Sequence, residues 1–97
     1  MTLNGDLMEN YKIVIMKSAL KDKNKIKEIP ALKRNTEKLL EIIKEDPFQN
    51  PPPYEKLSGS LSELYSRRIN RQHRLVYKVM EEEKTIIIVS MWTHYEF

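Results

Sequence analysis

The sequence predicts an α+β domain of order β-α-α-β-β-β, in which two N-terminal helices pack on one face of an antiparallel sheet. Its 97 residues are enough for one hydrophobic core but not for two. Apolar residues recur at helical spacing before residue 47 and follow period two after residue 64, which separates a helical half from a strand-rich half. Residues 11–97 form the predicted domain, and we expect residues 1–10 to be a disordered N-terminal extension.

The first half of the domain contains a strand and two helices. Residues 11–16 (YKIVIM) are rich in β-branched side chains and short enough for one strand. Ser18 is the predicted N-cap of a lysine-rich helix that runs to about Ile29. Pro30 suits the first turn of a second helix, which the Asp46-Pro47 pair ends. The apolar face of this second helix is made by Leu32, Thr36, Leu39, Leu40 and Ile43.

The second half contains three strands after a proline-rich linker. Residues 49–53 (QNPPP) predict an extended, polyproline-like segment. The connections between the strands are short, so neighbouring strands must pair in antiparallel fashion. The predicted strands are residues 65–69, 74–80 and 85–92, and the turns between them are residues 70–73 and 81–84.

The amino-acid composition excludes several kinds of site. The sequence has no Cys, two His and two Gly. This excludes a disulfide scaffold, a thiolate nucleophile, a cysteine-ligated zinc and a glycine-rich phosphate loop. We therefore expect neither a metal nor a cofactor.

The net charge is +3, with a pI near 9.1, which favours nucleic acid, an acidic protein or an anionic surface as partner. The most apolar stretch, residues 85–92, is too short to cross a bilayer. Residues 1–12 lack the basic and apolar regions of a signal peptide. The sequence therefore predicts a cytoplasmic protein that does not bind a membrane.

A cluster of basic residues with no acid among them lies within residues 67–78. On a strand, neighbouring side chains point to opposite faces, so Arg67 and Arg68 must diverge. A solvated sheet face is the simplest interpretation of any one of these residues, whereas the cluster as a whole favours anion binding. Its members are Arg67, Arg68, Arg71, Arg74 and Lys78.

Two further residues, Glu55 and His94, are candidates for chemistry. Glu55, taken alone, is a surface glutamate that follows the prolines. His94 follows the most apolar strand, which should project it beside the basic strand. His73 lies in a turn and is interpreted as structural or surface.

Four motifs together resemble the YoeB/Txe family, toxins of toxin–antitoxin pairs within the RelE-like superfamily. The similarity covers about residues 11–95 and is strongest after residue 53. The combination is specific, although each motif alone is weak. In chain order the motifs are residues 53–57 (PYEKL), 65–69 (YSRRI), 73–77 (HRLVY) and 92–95 (WTHY).

The resemblance implies a microbial RNase-like, RelE-type fold and a metal-independent endoribonuclease that cuts mRNA in the ribosomal A site. By the same resemblance, Glu55 is the general base, Arg74 stabilises the phosphate, and His94 is the general acid, with Tyr95 beside it. The chemistry is coherent, because attack by the 2′-hydroxyl needs a base, a cation and an acid. The expected products are a 2′,3′-cyclic phosphate and a 5′-hydroxyl.

The family also implies partners and RNA contacts. Arg68 matches a basic position that contacts the RNA backbone, and Lys56 and Arg67 are assigned to RNA binding with it. Some members carry a lysine where this chain has Ser58, so it stays open whether Lys56 substitutes for it. The implied partners are mRNA, the 70S ribosome and a YefM/Axe-like antitoxin, through which alone the toxin meets operator DNA, and a homodimer is left open.

An alternative function needs only the basic cluster. A non-catalytic RNA- or ribosome-binding module would use the same arginines and would tolerate loss of Glu55 and His94. A DNA-binding repressor is not favoured, because residues 18–45 carry no helix-turn-helix signal.

Overall fold

The structure is a computed structural model and describes residues 10–59 and 63–92. These residues contain two helices and five strands. Apart from residue 10, the predicted N-terminal extension lies outside the described residues. In chain order the elements are β1 (Lys12–Ile15), α1 (Lys17–Ile26), α2 (Pro30–Glu45), β2 (Glu55–Lys56), β3 (Leu64–Arg68), β4 (Arg74–Met80) and β5 (Thr85–Ser90).

The strands form one sheet in the order β1-β5-β4-β3-β2. The pairs β2–β3, β3–β4 and β4–β5 are antiparallel, as the short connections predict. β1 is different, because it lies parallel to β5, with Ile13 opposite Ile86 and Ile15 opposite Ile88. The antiparallel rule applies to strands joined by short turns, and most of the domain separates β1 from β5. The predicted α+β class is confirmed. The predicted antiparallel sheet is corrected at β1, which pairs in parallel, and the two-residue β2 was not predicted.

The core lies between the helices and one face of the sheet. Ile86 and Ile88 of β5 and Leu75 and Tyr77 of β4 are fully buried on this face. The predicted apolar face of α2 is confirmed, with Leu40 at its partly buried edge. The helices contribute Ala19, Ile26, Leu32, Thr36, Leu39 and Ile43 to the buried interior.

The start of α1 differs from the prediction. Met16, in extended conformation, is the N-cap and provides no side-chain cap. Ser18 lies inside the helix, where its hydroxyl donates to the carbonyl of Val89 at 3.2 Å. The assignment of Ser18 as N-cap was therefore wrong, because a contact with β5 engages its side chain.

The junction between the helices follows from Pro30. This residue occupies the first turn of α2, and Ile29 before it has an extended backbone. α1 consequently ends at Ile26 and not near Ile29. Neither helix in the described part of the chain is long and apolar enough to span a membrane.

The position of the core generates a stability prediction for β5. Replacing Ile88 by Ala should lower the free energy of unfolding by about 2–5 kcal/mol, because the side chain is fully buried and leaves a cavity. Val14→Ala is the matched control, since Val14 is 40% exposed and its truncation should cost below about 1 kcal/mol. Urea denaturation at equal m-value measures both. Equal losses for the two variants would contradict this description of the core.

Candidate active site

A cleft of about 320 Å³ opens where β2, β3 and β4 meet. Side chains opposite each other in adjacent strands share a face, so Glu55 lies on the same face as Ser66, and Arg68 on the same face as Arg74. Leu75 follows Arg74 and points into the core, so this face is the one turned away from the helices. The cleft is lined by Pro52, Pro53, Tyr54, Glu55, Ser66, Arg68 and Arg74.

Arg68 and Arg74 form a directly opposed pair of like charges across β3 and β4. Such a pair is destabilising unless something of opposite charge lies between or beside the two groups. Neither arginine takes part in an ion pair within the described parts of the chain, where all ion pairs involve lysine. The pair therefore presents to the cleft positive charge that no ion pair of the described residues neutralises.

Arg74 also carries an unused hydrogen-bond donor. Its Nη1 atom is buried and has no hydrogen-bond partner among residues 10–59 and 63–92. A buried donor without an acceptor costs about 1–3 kcal/mol. An anion in the cleft would add negative charge beside the two arginines.

Glu55 is the acidic residue of the cleft. It lies exposed in β2 and pairs with Ser66. Ser66 is two residues before Arg68 on the same face of β3, and Arg68 pairs with Arg74. The structure therefore brings together three of the predicted site residues, Glu55, Arg68 and Arg74, although they are distributed over three strands.

Lys56 does not line this cleft. It follows Glu55 in β2 and so points to the other face of the sheet, opposite Tyr65. There it borders a separate depression with Phe48, Glu63 and Lys78. Ser58 is exposed and is likewise absent from the lining of the cleft.

The prediction that Arg67 contacts RNA is wrong, because its side chain is buried. Only 1% of the residue is exposed, and its guanidinium is directed into the helix-facing side of the sheet. Nε donates to the hydroxyl oxygen of Tyr77 at 3.0 Å, and the other nitrogens donate to backbone carbonyls of residues 47–52. Burial raises the pKa of Tyr77, and its hydroxyl donates to the carbonyl of Pro47 at 2.8 Å.

The proline-rich segment does not follow the predicted extended path. The Asn50–Pro51 and Pro51–Pro52 peptide bonds are cis, and the carbonyls of Pro47, Gln49 and Pro52 all accept hydrogen bonds from Arg67. Three carbonyls of the loop therefore bind the same side chain, that of Arg67.

His94 and Tyr95 lie outside the described residues. The segment before them is described as far as Trp92. The Trp92 ring packs against the His73 ring, with ring centroids 4.5 Å apart. His73 is partly buried in the turn between β3 and β4, with Nδ1 3.2 Å from Oδ1 of Asn70.

The end of β5 is attached to α1. Ser18, Asp22 and Lys25, at spacings of four and three, lie on one face of α1. Their side chains contact the Val89 carbonyl, the Met91 amide and the Trp92 ring in turn. The segment before residue 93 is therefore held against the first helix.

Sequence reasoning missed Tyr54 and Ser66 as residues lining the cleft, although both adjoin predicted residues. The buried role of Arg67 had a detectable signal. It shares the period-two face of Tyr65 and Ile69, which marks it as inward-facing.

The fold is that of a class of solved toxin structures. A YoeB/ParE toxin from Agrobacterium tumefaciens has a TM-score of 0.80 at 26% identity, covering 87% of this chain and 99% of that one. A YoeB–YefM complex from Staphylococcus aureus gives 0.76 at 31% identity, covering 88% and 98%. A RelE–RelB complex from Pyrococcus horikoshii gives 0.69 at 23% identity, covering 86% and 93%, and supports the fold alone.

The sequence comparisons narrow the class to one family. The model of the YoeB-like toxins of bacterial type II toxin–antitoxin systems matches residues 16–95. Toxin YoeB of Synechocystis is 40% identical over 58 residues, which are 60% of this chain and 65% of that protein. Toxin YoeB of Escherichia coli K12 is 38% identical over 66 residues, 65% and 76% of the two chains. Against the Synechocystis protein the match spans slightly under two thirds of the relative's length. The chain belongs to the YoeB-like toxin family.

The charge arrangement of the cleft generates an anion-binding prediction. Sulfate at ten times its dissociation constant should stabilise the protein by about 1.4 kcal/mol, because it binds beside Arg68 and Arg74 in the folded protein and does not bind the unfolded chain. Arg68→Gln should lose this response without losing stability in the absence of sulfate. Thermal unfolding at constant ionic strength measures both effects.

Arg34→Gln on the exposed side of α2 is the control, because it removes the same charge far from the cleft. It should retain the full sulfate response. An equal response from Arg68→Gln and the unmodified protein would show that the anion binds elsewhere.

Proposed function

We propose that the protein is a metal-independent endoribonuclease toxin that cleaves mRNA in the ribosomal A site and so inhibits translation. The observation that carries the proposal is the placement of Glu55 and the Arg68–Arg74 pair in one cleft. A carboxylate beside two guanidinium groups that form no ion pair within residues 10–59 and 63–92 provides a proton acceptor next to a phosphate site. Membership of the YoeB-like toxin family supports the same function.

In the proposed reaction the RNA supplies its own nucleophile. Glu55 removes the proton from a 2′-hydroxyl, and the 2′-oxygen forms a bond to the adjacent phosphorus. The bond from phosphorus to the 5′-oxygen breaks, and His94 gives that oxygen a proton. The products are a 2′,3′-cyclic phosphate and a 5′-hydroxyl. The role of His94 rests on the family motif, because this residue lies outside the described part of the chain.

The two arginines act on the charge that develops at phosphorus. Arg74 lines the cleft and forms no ion pair within the described ranges, so its guanidinium is the group assigned to bind a non-bridging oxygen of the pentacoordinate intermediate. Arg68 lies opposite it and adds a second cation. Guanidinium suits this role because it stays charged and its planar fork binds two oxygens at once. Stabilising developing charge with groups already in place is commonly the largest contribution to catalysis.

The proposed partners follow from the substrate and the family. mRNA on the 70S ribosome is the substrate, so the toxin would act in the cytoplasm. A YefM/Axe-like antitoxin would neutralise it by laying an acidic segment across the positively charged cleft, and would carry the operator-binding part of the complex. Related structures include a YoeB–YefM complex and a YoeB dimer, both from Staphylococcus aureus. A homodimer of this chain is proposed on that similarity alone.

The catalytic proposal predicts the effect of a single charge removal. Glu55→Gln should lower the rate of message cleavage on translating ribosomes by about 10² to 10⁴, because the amide cannot accept the hydroxyl proton. Primer extension on a defined message, together with identification of the 2′,3′-cyclic phosphate, measures it. Glu83→Gln in the exposed β4–β5 turn is the matched control and should cleave normally.

Two outcomes would replace the proposal. Cleavage by Glu55→Gln at the unmodified rate would remove Glu55 from the mechanism. Ribosome binding without any cleavage by the unmodified protein would favour the non-catalytic RNA- or ribosome-binding module, which needs only the arginine pair.

The toxin–antitoxin proposal predicts a growth phenotype. Induction of the chain in cells without an antitoxin should arrest growth, and co-expression of a YefM/Axe-like partner should restore it. Colony counts after induction measure the effect. Arg74→Ala, which removes the proposed phosphate site, should grow normally on its own; arrest by this variant equal to that of the unmodified chain would contradict the assignment of the cleft.

A further inference from the structure

Arg67 is a buried charged residue on the opposite side of β3 from the cleft. We infer that it is a positioning residue, which holds residues 47–54 in place and thereby sets Glu55 against the Arg68–Arg74 pair. This inference rests on the proposed function, because it assigns Arg67 a part in the activity of the same cleft.

The first support is the number of hydrogen bonds that Arg67 makes to one loop. Nη1 donates to the carbonyl of Pro52, and Nη2 donates to the carbonyls of Pro47 at 3.1 Å and Gln49 at 2.8 Å. Pro51, Pro52 and Pro53 have no backbone N–H, so this stretch cannot form a backbone ladder of its own. The guanidinium replaces that ladder.

The second support is the absence of a carboxylate partner. No ion pair includes Arg67 within the described ranges of the chain. A buried charge is costly unless polar groups surround it, and here those groups are the loop carbonyls and the hydroxyl of Tyr77. The charge and the loop conformation therefore depend on each other.

The third support is the short path from these carbonyls to Glu55. Pro52 precedes Glu55 by three positions, and the Tyr54 ring between them lies 4.9 Å from the guanidinium carbon of Arg67. Tyr54 also packs on Phe48 and Tyr65, with ring centroids 5.9 Å away in each case. β2 itself has only two residues, so its pairing with β3 cannot fix the loop alone.

Lysine cannot replace Arg67 in this arrangement. Its ammonium group is a point charge with three donors on a flexible stem, whereas the loop carbonyls match the planar fork of a guanidinium. Arg67→Lys therefore keeps the charge and removes the geometry. Arg67→Met keeps the approximate length and removes the donors.

Hydrogen exchange tests the positioning role without any use of activity. In Arg67→Met and Arg67→Lys, the amides of Phe48 and Gln49, which donate to Asp46, should exchange at least tenfold faster than in the unmodified protein. Amides of β4 and β5 should keep their protection. Unchanged exchange in the loop would overturn the inference, even where cleavage is lost. Leu32→Ala, a core truncation in α2, is the control for general destabilisation. In this variant the exchange of the loop amides should not rise more than the exchange of the strand amides.

A double-mutant cycle tests whether Arg67 acts through Glu55. Single-turnover cleavage on ribosomes should fall about 10- to 100-fold in both Arg67 variants, with no rescue by Lys. The double variant Glu55→Gln with Arg67→Met should be no more than about threefold slower than Glu55→Gln alone, because a misplaced base and a missing base are the same defect. Multiplying effects would overturn the inference. If the unmodified protein cleaves nothing, the nuclease proposal fails, and hydrogen exchange still decides whether Arg67 holds the loop.

Discussion

The alternation of side chains along β3 is the constraint on which the rest of the structure depends. Ser66, Arg67 and Arg68 are consecutive, so one arginine must face the helices and the next must face the cleft. The inward-facing guanidinium of Arg67 donates hydrogen bonds to carbonyls of the preceding loop. The outward-facing Arg68 lies opposite Arg74. A slip of one residue between β3 and β4 would exchange the two arginines and remove both arrangements at once. The register of this strand is therefore a requirement of folding and of the site together.

Elements with a strong local pattern could be predicted from the sequence, and elements defined by distant contacts could not. β4 has the predicted bounds, and α2 begins at Pro30 with the predicted buried face. The parallel pairing of β1 with β5 has no local signal, because the two strands are separated by most of the domain. Likewise, the capping role assigned to Ser18 failed because its hydroxyl binds the Val89 carbonyl, 71 residues away.

The candidate site was predictable to the extent that residue type and strand alternation determine it. The grouping of Glu55, Arg68 and Arg74 follows from the pairing of three strands, and the family motifs identified the same residues before the strands were placed. Arg67 was assigned to RNA because a run of arginines suggests an electropositive surface. Arg67 is buried, whereas its neighbour Arg68 is exposed. In the sequence, only the period-two pattern of β3 indicates which of the two arginines faces the core. Lys56 is exposed, but it alternates with Glu55 and so points to the other face of the sheet. Its assignment to RNA binding stays a prediction.

The order of the strands has a consequence for biosynthesis. β1 is translated first, yet among the described strands it pairs only with β5, which is translated last. The emerging polypeptide therefore carries an unpaired edge strand and an open core until nearly the whole domain has left the exit tunnel. β5 also pairs with β4, so the sheet that supports the cleft is incomplete until β5 has emerged. A nascent copy of this chain therefore cannot complete its sheet before β5 has emerged.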